Sequence, residues 1–298
     1  MKYAAAVDIG RAKVQVALLD EMYNIVDVQS FDSDIDNPNK TLDEIANRVL
    51  KLTKTICGIG ISCPGILDAM KGTLLYTPNL GDKWYGLHIT EALSKRTGLP
   101  VYLENNANLA GLAEAIIGEG KNYKVIQFLR ISANVGAGLI VNKKIFKGAH
   151  GFANEFSPIR IVSSSDGEFD KIGNHISETA IISKARETGL KVNRVKEVDE
   201  LAKSGNEKAV TIMKEAKVHL ANLINTIIAF TDPDMVVLGG SVPFEIEGFT
   251  EEVEALVKEQ MLEVVSPLVR ISRSRLNEDS NLIGACNLVF SKETYGLR

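Results

Sequence analysis

Apolar positions at the start of the chain come in short runs of strand length. Tyr3–Ile9 and residues 14–19 are apolar and residues 25–31 alternate, which predicts an antiparallel β-meander. A tight polar turn, Asp8-Ile9-Gly10-Arg11-Ala12-Lys13, separates the first two runs. Thr41 and Glu44 have the spacing of a capping box, and the helix they predict reaches about Lys54 with Leu42, Ile45, Val49 and Leu52 on one face. A buried strand is expected at 56–62, broken by Cys63-Pro64-Gly65. Residues 89–97 read as a helix stopped by Gly98, and a strand at 101–104 runs directly into a helix at 105–117.

Farther along, strands are expected at 125–132 and 138–141, with Ala133-Asn134-Val135-Gly136 as the loop between them. Residues 148–160 are glycine-rich and irregular. After Ser163-Ser164-Ser165-Asp166-Gly167 the pattern turns helical, at 177–187, 207–230, 250–264 and 281–290, with strands at 235–238 and 268–272. In the long helix Val210, Met213, Val218, Leu220, Leu223, Ile224 and Ile227 are available for a buried face. Two clusters of strands, each followed by helices, predict two related α/β halves. We expect domains at 1–116 and 117–280, with a closing helix at 281–298 packing back on the first.

The 298 residues suffice for two full apolar cores, and 45% hydrophobic with 24% charged residues is ordinary for globular domains. A net charge of -4 gives no general attraction to nucleic acid or anionic membrane. No apolar run reaches membrane-spanning length, and the N-terminus enters a strand without a signal-peptide pattern, so a cytoplasmic protein is expected. Cys57, Cys63 and Cys286 fit neither a disulfide framework nor a metal spacing and read as small buried hydrophobes. The four histidines show no ligand pairing and read as surface or half-buried residues.

Chemistry-bearing residues fall into four motifs. Asp8, Gly10 and Lys13 lie in a turn that either points N–H groups at phosphate, with Asp8 holding Mg²⁺ through water, or is a plain hairpin. Glu104-Asn105-Asn106-Ala107-Asn108 sits at a strand-to-helix junction, where amides hydrogen-bond sugar hydroxyls or merely cap the helix. Glu155 follows the glycine-rich stretch 148–154. Gly239-Gly240 ends a buried strand, either letting a nucleotide approach the backbone or forming a structural turn.

Together, and in this order, these motifs resemble the ROK family of bacterial sugar kinases and sugar-responsive repressors. The resemblance runs from Asp8 to Ile283-Gly284-Ala285 and includes Ser62-x-Pro64-Gly65 and Pro78-Asn79-Leu80. It implies the two-domain actin-like, ribonuclease-H-like sugar kinase fold, of α/β class. Gly65, Asn79, Asn105, Asn106 and Glu155 would bind sugar. Asp8, Gly10, Arg11, Lys13, Gly136, Gly138, Gly239 and Gly240 would bind ATP and Mg²⁺. Relatives also suggest a homodimer.

The chain departs from the family's pattern at several of these places. The kinases carry Glu-Asn-Asp-Ala-Asn, whose aspartate takes the proton from the sugar hydroxyl. Asn106 stands there, and an amide is no base near neutral pH, a loss of about 10² to 10⁴ in rate. Arg11-Ala12 replaces Gly-Thr in the phosphate turn, and Ala133-Asn134-Val135-Gly136-Ala137-Gly138 replaces Thr-Gly-Ile-Gly-x-Gly. The family's zinc-binding histidine falls at Pro158, and no cysteine lies between 162 and 177, so no zinc is expected. Neither Glu168 nor Asp170 is an assured equivalent of the family's zinc-loop glutamate that reaches the sugar. The chain begins at the first kinase strand, so no room is expected for the helix-turn-helix that precedes the repressors. These losses favour a sugar-binding sensor with weak or absent phosphotransfer over the alternative, an active ATP-dependent hexose or amino-sugar kinase.

Overall fold

The structure is a computed structural model that describes residues 1–162 and 167–291. The expected polar segment at 163–166 and the continuation of the closing helix at 292–298 lie outside the described residues. In chain order the first strands are β1 (Tyr3–Ile9), β2 (Lys13–Asp20) and β3 (Ile25–Asp32), followed by α1 (Pro38–Leu50) and β4 (Ile59–Cys63). Next come β5 (Ile66–Asp68), β6 (Thr73–Tyr76), β7 (Leu87–His88), α2 (Ile89–Thr97), β8 (Val101–Asn105) and α3 (Asn106–Ile116). The middle holds β9 (Val125–Ile131), β10 (Val135–Val141), β11 (Lys144–Ile145), β12 (Arg160–Val162) and β13 (Phe169–Lys171). Then come α4 (Gly173–Ile176), α5 (Glu178–Glu187), α6 (Val195–Lys203), α7 (Glu207–Thr231) and β14 (Met235–Gly239). The chain closes with α8 (Ser241–Glu245), α9 (Phe249–Gln260), β15 (Ile271–Arg273) and α10 (Ser280–Phe290).

Two compact units result. One comprises Met1–Ala113, Lys143–Ala153 and Glu278–Arg298, the other Glu114–Asn142 and Asn154–Asn277. The first is built on a sheet of order β3-β2-β1-β4-β8, in which β1 is antiparallel to β2 and parallel to β4. The second repeats that logic in β10-β9-β14-β15, with β9 antiparallel to β10 and parallel to β14. Such a repeat is what the two clusters of strands in the sequence predict.

In the first unit α10 is buried from Ser280 to Val289, as befits a helix without a polar face. Its contact is close because two glycines remove side chains. A Cβ on Gly60 of β4 would sit 1.8 Å from the Ala285 carbonyl oxygen, and one on Gly284 would sit 2.2 Å from that of Leu109. Ala5, Val7, Ile59, Ile61, Leu103 and fully buried Trp84 belong to the core on the other face of the sheet, with the Trp84 indole N–H donated to the Ile35 carbonyl. The second unit packs α7, capped by Asn206 and ended by Asp232 in the left-handed region, against α5, α6 and α9.

Several boundaries differ from the sequence expectation, each for a local reason. Asn37, with Pro38 at the first helical position, caps α1, and its side chain accepts the Lys40 N–H. Thr41 is therefore one turn inside the helix, where its buried hydroxyl pairs with the Asp34 backbone. The loop after β9 is also shorter than expected. β10 begins at Val135, so Gly136 and Gly138 are ladder residues opposite Arg130 and Phe128. Cys57 is exposed, unlike buried Cys63 and Cys286, and Val210 faces solvent.

Because Gly60 meets backbone rather than a movable side chain, Gly60→Ala should destabilise the protein by about 3 kcal/mol or more. Urea unfolding followed by circular dichroism reads this as a lowered midpoint.

Candidate functional site

The turn between β1 and β2 is closed by the Gly10 N–H donating to the Lys13 carbonyl at 3.0 Å, and a Cβ on Gly10 would meet that same oxygen at 2.8 Å. Arg11, Ala12 and Lys13 are exposed. Asp8, just before the turn, is already held on both oxygens. Ser62 donates its hydroxyl at 2.5 Å and Asn281 of α10 donates its amide at 3.1 Å. Each oxygen keeps a lone pair, so Asp8 still fits water-mediated contact with Mg²⁺.

At the β8–α3 junction the side chains have divided duties. Asn105 caps α3, its Oδ1 accepting the Ala107 N–H at 2.8 Å and the Asn108 N–H at 3.3 Å. Its amide donates to the Gly65 carbonyl at 2.8 Å, so of the residues assigned to sugar, Asn105 and Gly65 are brought together directly. Only one Asn105 donor remains for a ligand. Buried Glu104 accepts from the Asn105 N–H and the Asn108 amide, and its other oxygen is 2.5 Å from Lys147 Nζ. Asn106, by contrast, is half-buried, and among the described residues its carboxamide has no hydrogen-bond partner. It is therefore free to donate and accept, but not to remove a proton.

Gly65 has φ +109°, and a Cβ there would collide with the Tyr76 carbonyl oxygen at 2.3 Å, so no other residue suits this loop. Beneath it Thr77 is fully buried with its hydroxyl unpartnered among the described residues. Asn79 follows in the turn where Leu80 and Gly81 donate to the Thr77 carbonyl.

The remaining predicted residues belong to the second unit. Glu155 is exposed by area yet hemmed closely enough that desolvation pushes its carboxyl above the usual range. Asn154 stands where the family pattern has glycine, and it keeps the left-handed backbone with φ 69°, a conformation asparagine tolerates. Gly239 approaches the Phe128 ring. Gly240, at φ +93°, lies so near the end of β9 that a Cβ would sit 2.5 Å from the Ile131 carbonyl oxygen and 2.6 Å from Ser132 Oγ. The next residue, Ser241, has its N–H donated to Ser132 Oγ at 3.0 Å and its hydroxyl donated to Glu178 at 2.5 Å. Both Ser241 donors are thus taken, and the Glu178 carboxylate lies beside the turn.

The model of the ROK family matches residues 4–292. The chain belongs to the ROK family. It is 30% identical over 271 residues to a putative xylose repressor of Caldicellulosiruptor sp., an alignment covering 84% of this chain and 66% of that protein, so just under two thirds of the repressor's own length is matched. It is 25% identical over 317 residues to a glucokinase of Thermotoga maritima, covering 97% of both. A crystal structure of a ROK family protein from Streptococcus pneumoniae in complex with sucrose superposes with a TM-score of 0.86 at 23% identity, covering 98% of this chain and 99% of that one. The mixed α/β architecture is therefore that of the ROK sugar kinases.

Where the resemblance puts a zinc loop, this chain has β12, β13 and His175. His175 is buried, where a surface or half-buried residue was expected. Lys184 Nζ lies 2.9 Å from its Nδ1, and Asp170 lies 3.1 Å from its Nε2 at an angle that leaves the nitrogen without a hydrogen bond. His219 packs on it with ring centroids 4.6 Å apart. Among the described residues no group of three or more His, Cys, Asp or Glu is arranged to hold a metal ion. Burial first, and Lys184 second, lowers the His175 pKa; burial and His175 lower that of His219. Asp170 and Glu215 oppose this at His175, and Glu215 does so at His219. Sequence reading missed Lys147, Glu178, Ser132 and Asn281, all of which act through partners remote in the chain.

Two outcomes follow. Both histidines refuse protons in the native state that the unfolded chain accepts, so their contribution is complete above about pH 6.5 and is lost as pH falls toward their lowered native values. The pH profile of urea midpoints should therefore be flatter in His175→Gln than in the native protein between pH 6.5 and 5. Lys147→Met, which strands buried Glu104 without its cation, should cost about 3 kcal/mol in the same unfolding experiment.

Proposed function

We propose that this ROK protein binds a sugar and transfers phosphate weakly or not at all, serving as a cytoplasmic sensor or regulatory protein. The observation that carries the reading is Asn106, whose carboxamide is unpartnered among the described residues, at the first position of α3 where the family's kinases need a base. The family's two activities support it, since a putative xylose repressor and a glucokinase are both relatives. On this reading Asn106, Asn79, Gly65 and the one remaining donor of Asn105 serve sugar binding, and Glu155 is assigned the same role.

The second reading is a working sugar kinase using ATP and Mg²⁺. Asp8 and Lys13 favour it, together with the full-length match to a glucokinase. In that case a water or the phosphate itself takes the proton, as a loose transition state permits.

The two readings separate in one experiment. Xylose, glucose or an amino sugar should raise the melting temperature of the protein, while a coupled assay with the same sugars should give turnover at least a hundredfold below the roughly 1–100 s⁻¹ of ordinary kinases. Asn106→Asp should raise that turnover by up to about 10² to 10⁴. Native turnover near 1 s⁻¹ would establish the kinase instead.

A further inference from the structure

The junction of β9, α5 and α8 in the second unit contains a carboxylate that neither reading uses. Glu178 is the first residue of α5, where an acid suits the helix dipole and ordinarily stays beside its own helix. Here it does something else. Its backbone N–H is donated to the Ser132 carbonyl at 2.9 Å, which fixes α5 to the end of β9, and its side chain reaches Ser241, 63 residues away, immediately after Gly240. Ser132 completes the knot by accepting the Ser241 N–H. A turn with paired glycines attracts phosphate through unpartnered N–H and hydroxyl donors in a positive field. Here both Ser241 donors are satisfied within the protein, and a half-buried carboxylate stands beside them.

We infer that Glu178 is a built-in anion that occupies the Gly239-Gly240 turn and selects against phosphorylated nucleotides there. The inference rests on the reading of this turn as the nucleotide position. It converts a scaffold built for a triphosphate into one that prefers an uncharged or weakly charged occupant on that side. Because α5 and α8 are tied through the same carboxylate, the charge is held in place rather than swinging into solvent.

The test is nucleotide binding measured by isothermal titration calorimetry, with adenosine, AMP, ADP and ATP in the presence of Mg²⁺. The native protein is compared with Glu178→Gln, which keeps the shape and the acceptor for Ser241 but removes the charge. The variant should bind ATP on the order of tenfold more tightly. The gain should grow from AMP to ATP, be absent for adenosine, and shrink as salt is raised. Ser241→Ala, which breaks the tie but keeps the charge, should show a smaller gain than Glu178→Gln, so an effect of loosened packing is told apart from an effect of charge. Equal ATP affinity in the native protein and Glu178→Gln overturns the inference, as does weaker binding by the variant, which would make Glu178 a nucleotide contact. No binding to either also overturns it, because something other than Glu178 then closes the turn. Melting of the same proteins with sugar reports on the sugar site separately, so loss of one reading leaves the other measurable.

Discussion

The Asp8 carboxylate ties together parts of the chain that are farthest apart in sequence. It accepts from Ser62 at the end of β4 and from Asn281 at the start of α10. A charged acceptor with a hydroxyl and an amide donor makes stronger bonds than neutral pairs do. The glycines of β4 and α10 then bring backbone to backbone distances at which no side chain fits. The phosphate-type turn, the sheet beneath it and the closing helix are therefore one packed object. A change in any of the three is felt at Asp8.

Many of the polar groups that attract attention in the sequence turn out to serve the fold. Asn105 caps a helix and holds the Gly65 loop, Glu104 neutralises Lys147 and orients Asn108, and Ser241 is closed off by Ser132 and Glu178. Asn106 is different: among the described residues its carboxamide has no hydrogen-bond partner. A ligand-facing role falls most naturally on such a residue. The same contrast suits the proposed reading of a sugar-binding, poorly transferring protein: the Asn106 carboxamide is left open, whereas the Ser241 donors are satisfied internally.

How much was legible beforehand follows from the range of each interaction. The meander of β1 to β3, the stop at Gly98 and the direct entry of β8 into α3 were readable because alternation, a left-handed glycine and a polar cap are local signals. The start of α1 was misread because Asn37-Pro38 outcompetes the Thr41–Glu44 spacing, and both are equally visible in sequence. The burial of His175 and the pairs Glu104–Lys147 and Glu178–Ser241 had no local signature at all. They depend on which segments the sheet topology brings side by side, and one unaligned chain carries no trace of that.

The composition of the first unit has a consequence for how the protein is made. Its sheet is encoded almost entirely before residue 114, yet the helix that fills its core comes from Ser280–Phe290. The second unit lies wholly within 114–277. On a ribosome the early strands must therefore wait, with the apolar face that α10 will cover still open to water, while the later unit can finish folding. The half synthesised first is completed last, and chaperones would meet it in that interval.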